Sequence, residues 1–567
     1  MYWPALRNGF VWDDTALVLR DPLIRSWRLI PESFRHFLFL DATASDFYRP
    51  LQRLTFTADY ALFGFDAPWG WHLSSILVHA AAAVALFFLG LKLSGGRAGL
   101  AFGAALVWAV HPLQTSAITY VSGRADPLAA LFGFAALALA LHSLDAKRPL
   151  AAAFAAAAFL AALLSKESGI FALVVWFAIL AFRRAPRQVW GQWLLVAAAV
   201  LAIYLGLRTT AQRTPPPAPP ITPLAVRPIL AARAVAEYTG LLLAPRTLRM
   251  ERDITTTPQR TPESTLQNAR RREYQTLLGV LLVLGFALWL RRSAPPTALC
   301  LTAALLAYLP VSNLFSLNAT VAEHWLYIPG AFLFLAIAQS IRWNVAALAL
   351  LSVWLGALGL RTFLRQPDWR NQRTFLERTI AAGGDTARMH INLGNLELSA
   401  GRNDAAVAQF REAIVLAPEQ PMAWFGAANA AVRTRDFAAA REALERAQSS
   451  PLLAPDVLQT RAVIEHLETG RDTSDQLRTA LGLAPRRWDI RQRLLQHLDE
   501  TGRTAEAARE LRDFLAVEDF RADSWQLLGR FLEKLAQPTA ARIAYEQAAA
   551  RDVRYPFPRT PGLGPMR

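Results

Sequence analysis

Hydrophobic residues form runs long enough to cross a lipid bilayer through much of the first two-thirds of the chain. A helix needs about 20 apolar residues to span the hydrocarbon core of a membrane. Ten such runs lie between Trp71 and Phe363, although several are short and the fourth is mostly alanine. We therefore predict spans at 71–91, 98–113, 127–144, 150–165, 168–182, 192–208, 275–290, 297–312, 326–341 and 344–363. A further apolar stretch, 224–245, is interrupted by charges and is predicted to lie on the membrane surface.

Basic residues divide the loops between these runs into two sets, and this division predicts the orientation of the chain. Short cytoplasmic loops are rich in lysine and arginine. One alternating set of short loops carries ten basic residues, whereas the other set carries only Arg124 and Lys166. The first set is therefore predicted to be cytoplasmic. The second set, together with segment 1–70, loop 209–274 and the residues after Phe363, is predicted to lie outside, in a periplasm or a lumen.

The residues after 387 change to alanine-rich, charged, amphipathic helices that repeat about every 34 residues. The predicted helix-connecting turns fall at Gly401, Arg435, Gly470, Gly502 and Ala536, at intervals of 34, 35, 32 and 34 residues. Small residues at helix crossings and the aromatic residues Phe410 and Tyr545 complete a tetratricopeptide pattern. The sequence thus predicts an all-α protein: a polytopic membrane bundle over 1–365, followed by a five-unit α-solenoid over 387–554 that binds a protein partner.

Composition agrees with a membrane protein, because 53% of the residues are hydrophobic and only 18% are charged. This balance excludes a disordered chain. The net charge of +16 does not indicate a nucleic-acid partner, because much of the basic excess belongs to the predicted cytoplasmic loops. Cys300 is the single cysteine of the chain, so no intrachain disulfide can form.

Charged and titratable residues gather at the predicted outer ends of the spans, where they are costly without a function. They come from the first outer segment and from three later outer loops, and they are Asp13, Asp14, Arg49, His111, Arg124, Asp126, Lys166, Glu167, Glu323 and His324. Structural explanations exist for some of them. Asp13 and Asp14 could form a solvated turn, and Arg124 and Asp126 could cap a helix. Lys166 and Glu167 could pair with each other, while His72 and His79 are more simply explained as packed histidines than as metal ligands.

This set of residues suits the transfer of a sugar from a lipid phosphate to a hydroxyl group. A carboxylate is needed to accept the hydroxyl proton, and Asp13 or Asp14 could serve. Cations are needed against the leaving phosphate, and the candidates are Arg49, Arg124, Lys166 and His324. His111, Asp126, Glu167 and Glu323 would support them. A divalent cation could bind the acidic residues beside the phosphate, but no ligand spacing identifies metal ligands.

Seven short segments, in order along the chain, resemble the transmembrane and tetratricopeptide-repeat-containing protein O-mannosyltransferases and their bacterial relatives. They are NGFVWDD (8–14), YRPL (48–51), WGWHL (69–73), HP (111–112), VSGRAD (121–126), KE (166–167) and EHWLYIP (323–329). The resemblance implies a C-type glycosyltransferase of the bacterial inner membrane that takes its sugar, by default mannose, from a polyprenyl-phosphate donor on the outer face. It also implies that Asp13 or Asp14 is catalytic and that the repeats share the compartment of the active site.

The sequence departs from this family in two places. Relatives have a span before the two aspartates, so we expect an apolar segment of about 20 residues upstream of the first outer segment, or a topology shifted by one span. Many relatives have Glu-Arg where this chain has Glu323 and His324, which would make a phosphate contact there depend on pH. The competing functions are a membrane-anchored scaffold without activity and a transporter, although a transporter would place charges deep within its spans.

The first testable prediction concerns topology. Alkaline phosphatase fused after Arg365 should be active, and a reporter that works only in the cytoplasm should be inactive there, because the distribution of basic loops places the repeats outside. The opposite pattern of reporter activity would invert the orientation.

Overall fold

A computed structural model describes residues 1–41, 45–212, 223–250, 252, 254, 262–315, 317 and 319–554. Residues 213–222 of the predicted outer loop 209–274 lie outside the described residues. Within the described ranges the regular structure is helical, apart from two isolated backbone bridges, His36 with Gln212 and Arg252 with Val321. The predicted all-α class is confirmed.

Helices before the repeats build the predicted membrane part. They are α1 (Ile30–Arg35), α2 (Pro50–Phe63), α3 (Pro68–Leu93), α4 (Ala98–Val110), α5 (Thr115–Ile118), α6 (Ala125–Ala146), α7 (Pro149–Ser165), α8 (Phe171–Phe182), α9 (Arg187–Thr210), α10 (Arg227–Leu243), α11 (Pro262–Arg292), α12 (Pro295–Tyr308), α13 (Tyr327–Ser340) and α14 (Val345–Arg365).

Each predicted span coincides with one helix of this part. Among the described residues, five helical stretches are by themselves long and apolar enough to cross a bilayer: Pro68–Leu93, Val121–Ala146, Arg187–Thr210, Arg271–Arg292 and Val345–Trp369. The second span is shorter than predicted, because α4 ends at Val110 and His111 adopts an extended conformation before Pro112. The residue that precedes a proline is disfavoured in the α conformation, which accounts for this end.

The centre of the bundle is formed by α3, α4, α6 and α13. Trp108 donates a hydrogen bond from its indole N–H to the carbonyl of Tyr327, at 2.6 Å. The imidazole of His79 lies 2.5 Å from the Tyr327 hydroxyl and 3.1 Å from the Ala109 carbonyl oxygen. His72 contacts the Gly9 carbonyl oxygen at 3.3 Å. These contacts support the interpretation of His72 and His79 as packed histidines, and no group of three metal-ligating side chains occurs among the described residues.

The apolar stretch 224–245, which is interrupted by charges, contains α10. This helix packs along the predicted membrane part. A Cβ at Gly279 of α11 would lie 1.8 Å from the Ala232 carbonyl oxygen of α10, so only glycine permits this crossing. The inner face of α10 buries Leu230 and Tyr238 in a cluster with Leu326. Its predicted place on the membrane surface stays a prediction.

The first outer segment folds against the end of the bundle. Its anchor is Arg53 of α2, whose guanidinium is buried and pairs with Asp21 at 2.8 Å. The same guanidinium donates to the carbonyl oxygens of Ser33, His36 and Phe37. One buried cation therefore ties α2 to the turns that precede it.

The predicted repeats are present as five helix pairs, preceded by α15 (Gln372–Ala381). The pairs are α16 (Ala387–Ser399) with α17 (Asn403–Leu416), α18 (Pro421–Arg433) with α19 (Phe437–Ala447), α20 (Ala454–Thr469) with α21 (Ser474–Leu483), α22 (Trp488–Glu500) with α23 (Thr504–Leu515), and α24 (Ala522–Lys534) with α25 (Pro538–Arg551).

Every predicted turn position in the repeats has a left-handed backbone. The φ angles are 74° at Gly401, 60° at Arg435, 69° at Gly470, 79° at Gly502 and 56° at Ala536. Such a residue ends one helix and turns the chain into the next. The predicted spacing of the turns is therefore confirmed at each position.

Aromatic side chains fill the gaps between helices of the repeats, as predicted. Phe410 occupies the space beside Gly394 of its own unit and Gly426 of the next, where a Cβ would lie 2.7 Å and 2.2 Å from the ring. Tyr545 fills the corresponding gap beside Gly529.

Both ends of the solenoid contact the first outer segment. At the far end, the Tyr60 hydroxyl donates to Asp552 at 2.6 Å, and the backbone N–H of Val553 donates to the Arg25 carbonyl at 3.2 Å. At the near end, α15 and α16 pack beside Trp12. The repeats therefore lie on the same face of the bundle as the outer loops that carry the candidate site.

Candidate functional site

The two adjacent aspartates follow a sharp turn of the backbone at Trp12. Trp12 has a φ of 55°, which is uncommon for a bulky side chain. The N–H groups of Ala16 and Leu17 donate to the Asp13 carbonyl oxygen and so begin a short helical turn directly after it. The turn at Trp12 sends the side chains of Asp13 and Asp14 into different surroundings.

Asp14 is completely buried and its carboxylate is saturated with hydrogen bonds. It accepts from the N–H and the hydroxyl of Ser122, both at 2.6 Å, and from the N–H groups of Val121 and Val11 at 3.3 and 3.1 Å. Burial raises the pKa of Asp14 to about 6, while these hydrogen bonds act in the opposite direction. Asp14 therefore joins the first outer segment to the loop before α6 and is not exposed for proton transfer.

Asp13 is partly exposed, and the described residues provide no hydrogen bond to its carboxylate. Burial raises the pKa of Asp13 to about 6, and the neighbouring Asp14 adds to this effect. Arg388 and Arg49 oppose it. An accessible carboxylate with a pKa near neutrality has the properties of a general base.

The cationic part of the site consists of two ion pairs, each of which joins two separate segments of the chain. Arg49 Nε lies 2.9 Å from Glu167 Oε2, and Lys166 Nζ lies 2.6 Å from Asp126 Oδ1. The Tyr48 N–H also donates to Glu167, at 2.9 Å. The structural explanation, in which Lys166 and Glu167 pair with each other, is therefore wrong. Each of the two side chains contacts a different segment of the chain.

Electrostatic interactions connect these pairs to one another and to Asp13. Arg49 acts on Asp13 and on Lys166. His324 is acted on by Asp126, Lys166 and Arg49. These interactions and the two ion pairs link one cluster, which holds an accessible carboxylate and cations at the end of an apolar bundle: Asp13, Arg49, Asp126, Lys166, Glu167 and His324.

His324 does not supply the charge that was predicted for it. Burial lowers the pKa of His324 to about 4, so the ring is neutral at physiological pH. Its Nδ1 atom is buried and has no hydrogen-bond partner among the described residues. His324 can contribute a hydrogen bond to a ligand, but it cannot contribute the pH-dependent positive charge.

Arg124, predicted to contact the donor phosphate, has a structural role instead. Its side chain is fully buried and pairs with Asp59 at 2.6 Å. It donates to the Ser75 and Thr55 hydroxyls and to the Trp71 carbonyl. Because the guanidinium is committed to these partners, it is not available to a phosphate, nor does its side chain cap α6.

Two supporting residues also lie apart from the cluster. His111 is buried, accepts a hydrogen bond from the Leu113 N–H and contacts the Leu242 carbonyl oxygen of α10 at 3.0 Å. Glu323 is buried between Arg365 at 2.6 Å and Arg252 at 3.2 Å. His111 and Glu323 therefore hold outer loops together and do not face Asp13.

Sequence reasoning missed Tyr120 and Arg388. Tyr120 is buried and interacts electrostatically with Asp13 and Asp14. Its position directly before the VSGRAD segment was the available signal. Arg388 lies in the first repeat, more than 370 residues from Asp13, and no local pattern distinguishes it from the many other arginines of the repeats.

Comparisons with known proteins agree with the motifs. Tetratricopeptide-repeat family models match residues 373–454 and 522–552. The chain is 24% identical to the human protein O-mannosyl-transferase TMTC3, over 97% of this chain and 63% of that protein. It is 33% identical to mouse TMTC1, over 25% of this chain and 16% of that protein. These matches span less than two-thirds of each relative, and they confirm the resemblance predicted from the seven segments.

One solved structure with similarity to most of the chain is ArnT from Cupriavidus metallidurans bound to undecaprenyl phosphate. It is 14% identical, with a TM-score of 0.38, over 81% of this chain and 78% of that chain.

The buried position of Arg124 generates a second prediction. Arg124→Met should lower the stability of the detergent-solubilised protein strongly, because removing one partner of a buried ion pair costs about 3–5 kcal/mol. Arg124→Met combined with Asp59→Leu should recover part of the loss. Heating followed by size-exclusion chromatography measures it, and Arg148→Met, an exposed residue, is the control. Wild-type stability in Arg124→Met would contradict the structural role.

Proposed function

We propose that this chain, a relative of the protein O-mannosyl-transferases, is an integral membrane glycosyltransferase that moves a sugar, by default mannose, from a polyprenyl-phosphate donor to a hydroxyl group of a protein or glycan. The observation that carries the proposal is the accessible carboxylate of Asp13, on which Arg49 acts, together with the Arg49–Glu167 and Lys166–Asp126 ion pairs at the end of an apolar bundle. A lipid-linked donor would keep its chain in the membrane and present its phosphate at this level.

Asp13, not Asp14, is the proposed base. The acceptor oxygen forms a bond to the anomeric carbon of the sugar, and its proton passes to the Asp13 carboxylate. The bond from that carbon to the phosphate oxygen breaks, and the polyprenyl phosphate leaves with the electron pair. Asp14 cannot take this part because its carboxylate accepts four hydrogen bonds in a buried position. It supports the base by holding the turn.

Arg49 and Lys166 are the proposed contacts to the donor phosphate. Negative charge accumulates on the phosphate as the sugar leaves, and cations already in position stabilise it without reorganisation. Glu167 and Asp126 orient these cations through the two ion pairs. His324 offers a neutral hydrogen bond at the same place. A divalent cation beside the phosphate stays a prediction, and this mechanism does not depend on one.

The proposed partner of the repeats is an acceptor protein, and a cleft beside them suits an extended segment of it. The cleft has a volume of about 740 Å³ and separates residues 36–40 of the first outer segment from three successive connections of the solenoid. Leu452 and Leu483 line it and are 38% and 58% exposed. The buried Nε of Arg521, also in the lining, has no hydrogen-bond partner among the described residues.

One residue of the cleft lining is linked to the candidate site through Phe47. Leu38 lines the cleft, and its N–H donates to the Phe47 carbonyl at 2.8 Å. The guanidinium of Arg49 lies 4.6 Å from the centre of the Phe47 ring. A polypeptide in the cleft would offer carbonyl groups to Arg521 and apolar side chains to the leucines, and it could carry a hydroxyl toward Asp13. We propose that this face is periplasmic, in a bacterial inner membrane.

A third prediction tests the base and the phosphate contacts. Asp13→Asn should reduce transfer at least about 100-fold, the loss typical of a general base, and wild-type transfer should fall as the pH drops below about 6 and Asp13 becomes protonated. Lys166→Met should weaken both donor binding and turnover. The assay uses purified protein, a polyprenyl-phosphate mannose and an unfolded acceptor protein.

The controls are Asp66→Asn and Lys147→Met, which alter exposed residues outside the cluster. Full activity in Asp13→Asn would remove the base assignment. Full activity in Lys166→Met would likewise remove the phosphate contact, whereas absence of transfer by the wild-type protein would favour the scaffold function.

A fourth prediction tests the cleft. Leu452→Glu and Leu483→Glu should weaken binding of fluorescent, reduced and carboxymethylated ribonuclease at least about tenfold, because each places a charge on an apolar wall. Fluorescence anisotropy measures the affinity. Val415→Glu, at a 69% exposed position of the first repeat outside the cleft lining, should bind normally. Equal loss in all three variants would exclude the cleft as the specific site.

A further inference from the structure

We propose that Arg388, on the first helix of the repeats, is a positioning residue for Asp13, so that the solenoid completes the site and is not only an attached binding domain. The catalytic meaning of this inference rests on the proposed function, whereas the contacts themselves do not. Three kinds of observation carry it: the packing of Trp12, the backbone contacts of the preceding residues, and the charges that face Asp13.

Trp12, the residue before Asp13, is held on several sides by the repeats and by α15, the helix that precedes the repeats. The Trp12 N–H donates to Gln372 Oε1 of α15 at 2.6 Å. The Phe375 ring of α15 lies 5.4 Å from the Trp12 ring. The guanidinium of Arg388, on α16, lies over the Trp12 ring at 5.4 Å from its centre, a cation–π contact.

These contacts have a particular consequence because the Trp12 backbone is left-handed. A bulky residue keeps such a conformation only when its surroundings hold it there. Here the surroundings are α15 and α16, so the direction in which the next residue, Asp13, projects depends on them.

The residues before Trp12 pack against and hydrogen-bond to the same part of the chain. The Gly9 N–H donates to the Arg370 carbonyl at 2.9 Å, and the Asn8 side-chain amide donates to the Gln366 carbonyl at 2.9 Å. Val11 is buried in a cluster with Trp369 and Met389. The turn is thus fixed on one side by residues 366–389 and on the other side by Asp14 with Ser122.

The charges that face Asp13 come from three parts of the chain. Asp14 is its neighbour, Arg49 directly precedes α2, and Arg388 belongs to the repeats, while Tyr120 interacts with both aspartates from the segment before α6. Burial and Asp14 raise the pKa of Asp13, whereas Arg388 and Arg49 lower it. Removing the positive charge of Arg388 should therefore raise this pKa and keep Asp13 protonated to a higher pH.

The experiment measures the ionisation of Asp13 without any sugar donor. The intact protein in lipid nanodiscs is labelled with a water-soluble carbodiimide and glycine ethyl ester between pH 4.5 and 8, and mass spectrometry follows modification of Asp13. Carbodiimides react with the protonated carboxyl group, so labelling declines as the pH rises through the pKa. Asp14, being buried, should label little and serves as an internal reference.

The expected midpoint for the wild type is about 6. Arg388→Gln should raise the midpoint by about 1 unit, the low end of the effect of a nearby opposite charge, because Arg388 is exposed. Arg388→Lys should stay close to the wild type. Arg411→Gln, which removes an exposed arginine elsewhere in the same repeat, should leave the midpoint unchanged.

A second measurement needs no variant. Raising the salt concentration from 0.05 to 0.5 M should raise the wild-type midpoint, because an exposed charge is screened while the more buried Arg49 is screened less. An unchanged midpoint in Arg388→Gln overturns the inference, and if that variant does not fold, an unchanged midpoint at high salt overturns it. A shifted midpoint in a protein without transferase activity would support the positioning role and reject the proposed function.

Discussion

The buried carboxylate of Asp14 is the interaction on which the candidate site depends. It accepts hydrogen bonds from Ser122 and Val121, which precede α6, and from Val11 in its own turn. A buried charge without partners would be very costly, so the turn and the loop must stay together for Asp14 to remain ionised. This constraint places the turn that carries Asp13 beside the segment that leads into α6 and Asp126.

Buried charges hold the rest of the outer face in the same manner. Arg53 with Asp21 and Arg124 with Asp59 join α2 to its surroundings. A buried cation whose N–H groups all donate to protein acceptors helps to hold one arrangement of the chain. It has no donor available for a ligand. The pairs formed by Arg49 and Lys166 differ in degree, because each of these two cations keeps 14% of its side chain exposed, whereas Arg53 and Arg124 keep 1% or less. Side-chain exposure and available hydrogen-bond donors therefore distinguish the residues that stabilise the outer face from those that could contact a ligand there.

The repeats belong to the same physical unit as the site. They contact the first outer segment at Tyr60 through their last helix and at Trp12 through their first. A membrane anchor for a scaffold would not require its repeats to support a strained turn beside an accessible carboxylate. The arrangement instead links the repeats, which are proposed to bind an acceptor protein, to the group that is proposed to receive the acceptor proton.

The sequence by itself determined the helices and the repeat, because both follow from local periodicity. Apolar runs located ten helices, and the 34-residue spacing located every left-handed turn from Gly401 to Ala536. The polar residues between the apolar runs also indicated candidate site residues, and their function stays a prediction. Only the tertiary structure separated Asp13 from Asp14, paired Lys166 with Asp126, buried Arg124 and brought Arg388 to Trp12. Burial and ion pairing depend on residues tens to hundreds of positions away, and no local pattern in one sequence specifies which of them meet.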